Sequence, residues 1–348
     1  MIAFVVGTRP NFMKAAPIFR RIGQYNIEET LIHTGQHYSP NMNDIFFKEL
    51  GLPEPDYNLG IKGGSPNIVL GRLMKGLHEV FLKIKPQRIV VMGDVSSTLA
   101  AALAAAYLHL PIDHIEAGLR AYDRRLPEEI NRVLVDHLSS RRFATEPAAM
   151  ENLKKEGLTQ NNFLVGDLML QNLKDLKERI KTMSGEYGVV TVHRAHNVDE
   201  RENLEKVLKM INTAAEYFRL IFPIHPRTAQ RLKRFGLDGT LSENVELVEP
   251  MGYLEFIGLV QGARVLLTDS GSLQTEASYL DVPCLTLREN TERPITIEKG
   301  TNTLVGLNLE RLQKALDKIL DGEYKHAALP DFLWNGVAER ILEVLEEG

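Results

Sequence analysis

Residues 88–115 read RIVVMGDVSSTLAAALAAAYLHLPIDHI, and the fold class turns on this stretch. Arg88–Met92 is a short apolar run that ends at Gly93-Asp94. An Ala-rich segment follows, capped by Ser96 or Ser97 and running to Leu108, and Pro111–Ile115 returns as a second apolar run. A strand of about five residues, a helix of about twelve and a second strand make one βαβ unit, and such a crossover requires a parallel sheet. The same rhythm extends outward. Upstream, Ile2–Val6 and Glu29–Thr34 read as strands, with a helix between them carrying Phe12, Met13, Ala16, Phe19 and Ile22 at helical spacing. Downstream it breaks at residues 172–187, a charged helix followed by Met183-Ser184-Gly185-Glu186, and restarts at Gly188–Val192. A helix over Arg201–Phe218 then shows an i, i+3/i+4 stripe from Leu204 to Phe218. Leu220–Pro223, Val245–Val248, Val265–Thr268 and Val282–Leu285 read as further strands. Two α/β halves of similar rhythm predict two Rossmann-like parallel-sheet domains, about 1–166 and 167–335, with a terminal helix over about 336–348 returning to the first.

Composition narrows the class. The chain has 348 residues, 44% hydrophobic and 25% charged, which excludes a largely disordered polypeptide. Net charge is −5 from 41 basic and 46 acidic residues with no long like-charge block, an argument against a general nucleic-acid binder. The single cysteine, Cys284, allows no intramolecular disulfide and no Cys-rich zinc site, and reads as packing within a strand. The apolar start reaches Arg9 too soon for a signal peptide, and the low-polarity run Leu99–Leu110 falls short of the ~20 residues that span a bilayer. A cytoplasmic chain with no membrane partner is the expectation.

In open parallel sheets, ligands collect where the strands end, so the polar residues just past each strand are the candidates. Gly7-Thr8-Arg9-Pro10-Asn11, with Lys14 one turn on, joins a glycine and two cations to a helix N-terminus, which suits an oxyanion. No second glycine precedes Lys14 and no Ser/Thr follows it, so this is not a Walker loop; surface cations on a plain helix start are the alternative. Asp94 and Glu116 both follow strands of one βαβ unit, and Glu128-Glu129 opens the next helix. Three carboxylates converging on one crevice would raise one another's pKa and allow acid–base work near neutrality. Taken singly, Asp94 also reads as a helix cap and Glu128 or Glu129 as solvated first-turn residues. His193-Arg194 and His225-Pro226-Arg227 each stand just past a strand, as reactive groups or as structural histidines. Thr268-Asp269-Ser270-Gly271-Ser272 leads into a helix carrying Glu276; its amides and hydroxyls fit a pyrophosphate, and Glu276 a ribose diol. A charged loop, Arg288–Pro294, follows. HExxH and DxD patterns are absent, which weakens a metal-site reading.

Taken together, Gly7-Thr8-Arg9-Pro10, Gly93-Asp94, Glu116–Arg120, Pro127–Arg132, His193-Arg194, His225-Pro226, Thr268–Gly271 and Thr291–Pro294 resemble the non-hydrolysing UDP-N-acetylglucosamine 2-epimerase family, in family order over nearly the whole chain. The resemblance implies a GT-B-like fold of two Rossmann-like domains facing across a cleft, a homodimer, and conversion of UDP-N-acetylglucosamine (UDP-GlcNAc) to UDP-N-acetylmannosamine (UDP-ManNAc) without metal or redox cofactor, in the biosynthesis of cell-surface polysaccharide. It assigns acid–base work to Asp94, Glu116 and Glu128, with His225 beside them. Arg9, Lys14, His193, Arg194, Ser270, Gly271, Ser272, Glu276, Glu292 and Arg293 would hold UDP or the sugar.

Some positions depart from the family pattern. Asn11 stands where a Glu is common, Gly166-Asp167 where Gly-Asn is usual, and Ser272 and Thr275 where Gly and Glu are. Gln36-His37 is followed by Tyr38-Ser39-Pro40-Asn41-Met42 where many members carry an Arg-rich segment for a second, activating UDP-GlcNAc. The alternatives are a hydrolysing epimerase releasing ManNAc and UDP, a GT-B glycosyltransferase, and a non-catalytic sugar-nucleotide sensor.

Overall fold

The computed structural model describes residues 1–35 and 49–348. The Gln36-His37 segment and Tyr38–Met42 lie outside the described residues. The chain divides into two compact units, Met1–Asp175 with Asp331–Gly348, and Leu176–Pro330. The first unit thus runs to Asp175 rather than 166, because the helix Leu168–Leu176 buries Leu168, Met169, Leu170 and Leu173 and hydrogen-bonds within it. Gln171 anchors that helix, donating from Nε2 to Glu339 at 2.9 Å and accepting from the Ala338 amide at 2.6 Å.

Among the described residues the first unit holds seven parallel strands: β1 (Ile2–Val6), β2 (Glu29–His33), β3 (Tyr57–Asn58), β4 (Arg88–Met92), β5 (Ile112–Ala117), β6 (Arg141–Ala144) and β7 (Asn162–Leu164). Their order is β3-β2-β1-β4-β5-β6-β7. The second holds six: β8 (Tyr187–Thr191), β9 (Arg219–Pro223), β10 (Val245–Val248), β11 (Val265–Thr268), β12 (Cys284–Thr286) and β13 (Asn302–Leu304), in the order β10-β9-β8-β11-β12-β13. Every recorded pairing is parallel. In each sheet the order reverses between two central strands, β1/β4 and β8/β11, the places where doubly wound folds bind ligands.

The cores follow from the sequence. Central strands such as Ile2–Val6 are buried along their whole length, hence the unbroken apolar runs. Against them the Ala-rich helix Ser96–Tyr107 buries Ala100, Ala101, Ala104 and Ala105, small side chains that let it sit close to the helix Pro66–Ile84. In the second unit the helix Arg201–Ala215 lays Leu204, Val207, Leu208 and Ile211 on the sheet, each contributing about 1.5–3 kcal/mol by burial.

Several boundaries differ from the sequence reading. The first helix is Arg9–Phe19, entered through Pro10, which suits a first-turn position, and Ile22 falls in a short 3₁₀ turn. Neither Ser96 nor Ser97 caps the Ala-rich helix: Val95 holds that position, and the Ser97 hydroxyl bonds that of Thr34 at 2.9 Å. The charged helix expected over 172–187 stops at Leu176, followed by one 3₁₀ turn, Lys177–Arg179, because no apolar stripe continues. The stripe helix likewise ends at Ala215 rather than Phe218. No helix among the described residues is long and apolar enough to cross a membrane.

Candidate active site

In the first unit the residues past β1, β4 and β5 meet at the switch point. Asn11 ties the first two together. Its Oδ1 accepts from the amides of Gly7 and Thr8 and from the Thr8 hydroxyl (3.1, 3.2 and 3.1 Å), and its Nδ2 donates to the Met92 carbonyl at 2.9 Å. Asn11 is therefore the clasp between two candidate-site loops.

Lys14, from the first helix, reaches Glu116 at the end of β5 and forms an ion pair; each side chain is only 8% exposed. Glu116 gets there by local distortion. The β5/β6 register shifts between Ile115 and Ala117, and Glu116 adopts φ +73, rare for a residue with a Cβ. Gly93 supplies the space: its φ is +66, and a Cβ there would stand 2.7 Å from Lys14 Nζ and 3.0 Å from Glu116 Oε2. One residue on, Asp94 Oδ2 accepts from Arg132 at 2.5 Å, and its carbonyl accepts from Asn131 Nδ2 at 2.7 Å. Arg132 is itself fixed by Glu129 at 2.8 Å, and Glu129 accepts the amides of Ala121 and Tyr122 at 2.9 and 2.8 Å.

This corrects two sequence expectations. Asp94 and Glu116 are not held as a mutually repelling cluster, because each has a cation in contact. Of the Glu128-Glu129 pair, Glu129 is buried and structural, while Glu128 is half-buried in the first helical turn. Arg9 is half-buried too, and burial pushes its guanidinium below the usual range against the opposing pull of Glu49.

In the second unit the loops past β8, β9 and β11 do the same work. Asp269, fully buried after β11, accepts the amides of His193 (3.1 Å) and Arg194 (2.8 Å) and the Asn197 side chain (3.0 Å), so it shapes the loop after β8. His193 Nδ1 is 3.3 Å from Asp269 Oδ1, and its ring lies 5.3 Å from that of His225. His225 is exposed and caps the helix Pro226–Phe235, its Nδ1 accepting the Arg227 amide at 3.1 Å. That nitrogen serves the fold, so any chemistry of His225 goes through Nε2.

Ser270 occupies the cap position of the helix Gly271–Tyr279, but its hydroxyl turns to Ser272 Oγ at 3.3 Å instead of capping. A Cβ on Gly271 would come within 2.1 Å of Glu292 Oε1, which places the Glu292 carboxylate against the start of this helix. Arg288 holds Glu292 at 2.7 Å. Glu276 is buried and accepts from the Tyr253 hydroxyl at 2.7 Å. Arg293 is buried, and its amide bonds Thr291 Oγ1 at 3.0 Å. The structure thus groups Lys14 with Glu116, Asp94 with Arg132, His193 with His225, and Gly271 with Glu292; Arg9 and Glu128 belong to the first unit, and Arg194, Ser272, Glu276 and Arg293 to the second. Arg132, Tyr253 and Arg288 were missed by sequence reasoning. Arg132 lay inside a quoted motif, one turn after Glu128, and Arg288 opened the quoted charged loop, but neither was singled out; Tyr253 lay in no quoted stretch. Among the described residues no group of three or more His, Cys, Asp or Glu side chains is arranged to hold a metal ion.

A family model for UDP-N-acetylglucosamine 2-epimerase matches residues 20–346. The chain belongs to the UDP-N-acetylglucosamine 2-epimerase family. The UDP-N-acetylglucosamine 2-epimerase of Methanocaldococcus jannaschii is 44% identical, covering all of this chain and 99% of the relative. The UDP-2,3-diacetamido-2,3-dideoxy-D-glucuronate 2-epimerase of Pseudomonas aeruginosa is 40% identical over 88% of each chain. Among solved structures, the M. jannaschii UDP-GlcNAc 2-epimerase in complex with UDP-GlcNAc and UDP superposes with a TM-score of 0.90 at 42% identity, covering 100% of this chain and 99% of that one. The glycosyltransferase of kitacinnamycin, 12% identical with a TM-score of 0.56 over 99% of this chain and 98% of its own, shares the fold alone. Two Rossmann-like parallel-sheet domains of GT-B type are therefore the architecture of this family member.

Proposed function

We propose that this family member epimerises UDP-GlcNAc reversibly at C2 to UDP-ManNAc, retaining UDP through the reaction. The observation that carries the reading is the pair of cation-held carboxylates, Glu116 with Lys14 and Asp94 with Arg132, set in glycine-bearing turns at one switch point. The C2 hydrogen is not adjacent to a carbonyl, so direct deprotonation is hard. As the C1–O bond to UDP breaks, C1 gains oxocarbenium character and C2–H becomes acidic. A carboxylate takes the C2 proton, UDP leaves with the C1–O electron pair, and 2-acetamidoglucal forms. Return of a proton to the opposite face of C2, with re-bonding of the UDP oxygen to C1, gives the epimer.

Asp94, Glu116 and Glu128 divide the proton transfers. His225 assists through Nε2. Arg9, Lys14, His193, Arg194, Ser270, Gly271, Ser272, Glu292 and Arg293 hold the diphosphate and sugar, and Glu276, steadied by Tyr253, takes the ribose diol. The active species is a cytoplasmic homodimer, in keeping with exposed Ile68, Leu82, Tyr107, Ile130 and Leu134 on helices of the first unit.

Proton NMR with UDP-GlcNAc in D₂O tests the reading. Deuterium at C2 together with UDP-ManNAc and little free UDP supports it. Free ManNAc with stoichiometric UDP indicates a hydrolysing epimerase, and turnover only with an added sugar acceptor indicates a transferase. The 40% identity to the P. aeruginosa enzyme favours a second reading, the same chemistry on a sugar nucleotide modified at C3 and C6. Faster exchange at C2 of UDP-2,3-diacetamido-2,3-dideoxyglucuronate than of UDP-GlcNAc would select it.

A further inference from the structure

Beneath the two carboxylate-bearing turns lies a buried pair that takes no part in the chemistry above. His114, in β5, and Asp136, in the helix Pro127–Leu138, are both fully buried. His114 Nε2 is 2.8 Å from the carbonyl oxygen of Gly93, and Nδ1 is 2.7 Å from Asp136 Oδ1. Asp136 Oδ2 accepts the Gly118 amide at 3.0 Å and an Arg120 nitrogen at 2.8 Å. Gly93 immediately precedes Asp94, and Gly118 stands two residues after Glu116. One imidazole–carboxylate pair therefore grips the backbone of both turns.

One of those turns needs gripping. Gly93 and Gly118 adopt φ of +66 and +80 freely, but Glu116 at φ +73 carries a Cβ, and left-handed backbone at such a residue persists only where its surroundings over-determine it. Burial by itself would raise the Asp136 carboxyl, but His114, Arg120 and the Gly118 amide together hold it below the usual carboxylate range. A carbonyl only accepts hydrogen bonds, and so does an ionised carboxylate. Both ring nitrogens of His114 consequently donate. Charges in the network balance, since Arg120 also pairs with Glu156 at 2.7 Å.

We propose that the His114–Asp136 pair is a positioning device for the epimerase reaction: a doubly protonated imidazole that aims Asp94 through the Gly93 carbonyl, with its carboxylate partner steadying Glu116 through the Gly118 amide. Neither residue touches substrate. The proposal rests on the epimerase reading, and the test separates the two.

Protein labelled with ¹⁵N-histidine, wild type and His114→Gln, identifies the His114 resonances by difference. The expected wild-type spectrum near neutral pH shows both ring nitrogens protonated. With UDP-GlcNAc, His114→Gln and Asp136→Asn are expected to lower kcat about 10- to 100-fold, the cost of a small misplacement of catalytic groups, with KM and UDP affinity within about threefold. A wild type that does not turn over UDP-GlcNAc would overturn the epimerase reading and this role with it. An active wild type with an unprotonated His114 nitrogen, with full kcat in the folded variants, or with UDP affinity falling as far as kcat, overturns the positioning role alone. Should His114→Gln fail to fold, Asp136→Asn kinetics and the wild-type nitrogen shifts, identified by protection from exchange, decide.

Discussion

Removing the cation from the Lys14–Glu116 pair tests the centre of the first unit most directly. Lys14→Met keeps the length of the side chain and its apolar stem while deleting the charge. Both partners are 8% exposed, so water does not readily replace Lys14, and Glu116 is left as a buried carboxylate that has lost its contacting cation. Breaking such a pair from one side costs about 3–5 kcal/mol. Lys14→Met with Glu116→Gln removes both charges, and the double variant is expected to regain about 2 kcal/mol of that loss, within the usual range of coupling energies for contacting residues. Urea denaturation can follow the right unit. Trp334 is the single tryptophan of the chain and lies in 331–348, which belongs to the first unit, so its fluorescence reports the unfolding of that unit. The reasoning is refuted if Lys14→Met loses less than about 1 kcal/mol, the level of an exposed pair, or if the double variant is no more stable than Lys14→Met.

Three further outcomes are expected. Gly271→Ala puts a methyl 2.1 Å from Glu292 Oε1, a clash that Glu292, buried and clamped by Arg288, relieves only by leaving the helix start; titration calorimetry should show UDP binding weakened about tenfold (about 1.4 kcal/mol) with an unchanged Tm within a few degrees. Tyr253→Phe deletes a hydrogen bond to the Glu276 carboxylate, worth about 1.5–3 kcal/mol for a charged acceptor, so steady-state kinetics should show KM raised at least tenfold and kcat little altered. For Asp175, burial raises the carboxyl but hydrogen bonds from Arg21 and Arg20 pull it lower overall, and Asp136 is likewise depressed. Depressed carboxylates give stability that is complete above their unfolded pKa of about 3.9 and lost as pH falls through the folded value. Trp334 fluorescence should therefore record acid unfolding of the first unit below about pH 4, with a shallower pH dependence in Asp175→Asn.

The parts of the fold that could be read in advance share a physical cause. Ile2–Val6, Arg88–Met92 and Val265–Thr268 match strands residue for residue, because central parallel strands are covered on both faces and read as nearly unbroken apolar runs; Val245–Val248, an edge strand with Glu246 and Leu247 exposed, matches as well. The outer strands β3, β7 and β13 carry two or three residues each, include polar ones, and leave no pattern. The candidate site positions were picked for a topological reason: in open parallel sheets ligands collect past the strand ends, so Asp94, Glu116, His193 and Ser270 stood out by place alone. Their partners did not. Lys14 and Glu116 are 102 residues apart, Tyr253 and Glu276 are on different helices, and His114 looked like one more strand residue. Periodicity reports which face is buried; it carries no information about which distant side chain arrives there. The expected repulsion among the carboxylates failed for this reason, since the cations that neutralise them were invisible as neighbours.

The division of the chain also bears on the order in which it acquires structure. The second unit is one continuous stretch, Leu176–Pro330, whereas the first is completed by Asp331–Gly348. A polypeptide emerging from the ribosome ordinarily folds its domains in the order they appear. Here the helix Val337–Glu346, with Val337, Ala338, Ile341, Leu342 and Leu345 buried, is a late-arriving piece of the earliest-made domain. During synthesis the later sheet can close while the earlier one, holding Lys14, Asp94 and Glu116, still awaits its last helix. The half that carries the proposed proton-transfer groups would then be the half most dependent on the chain being finished.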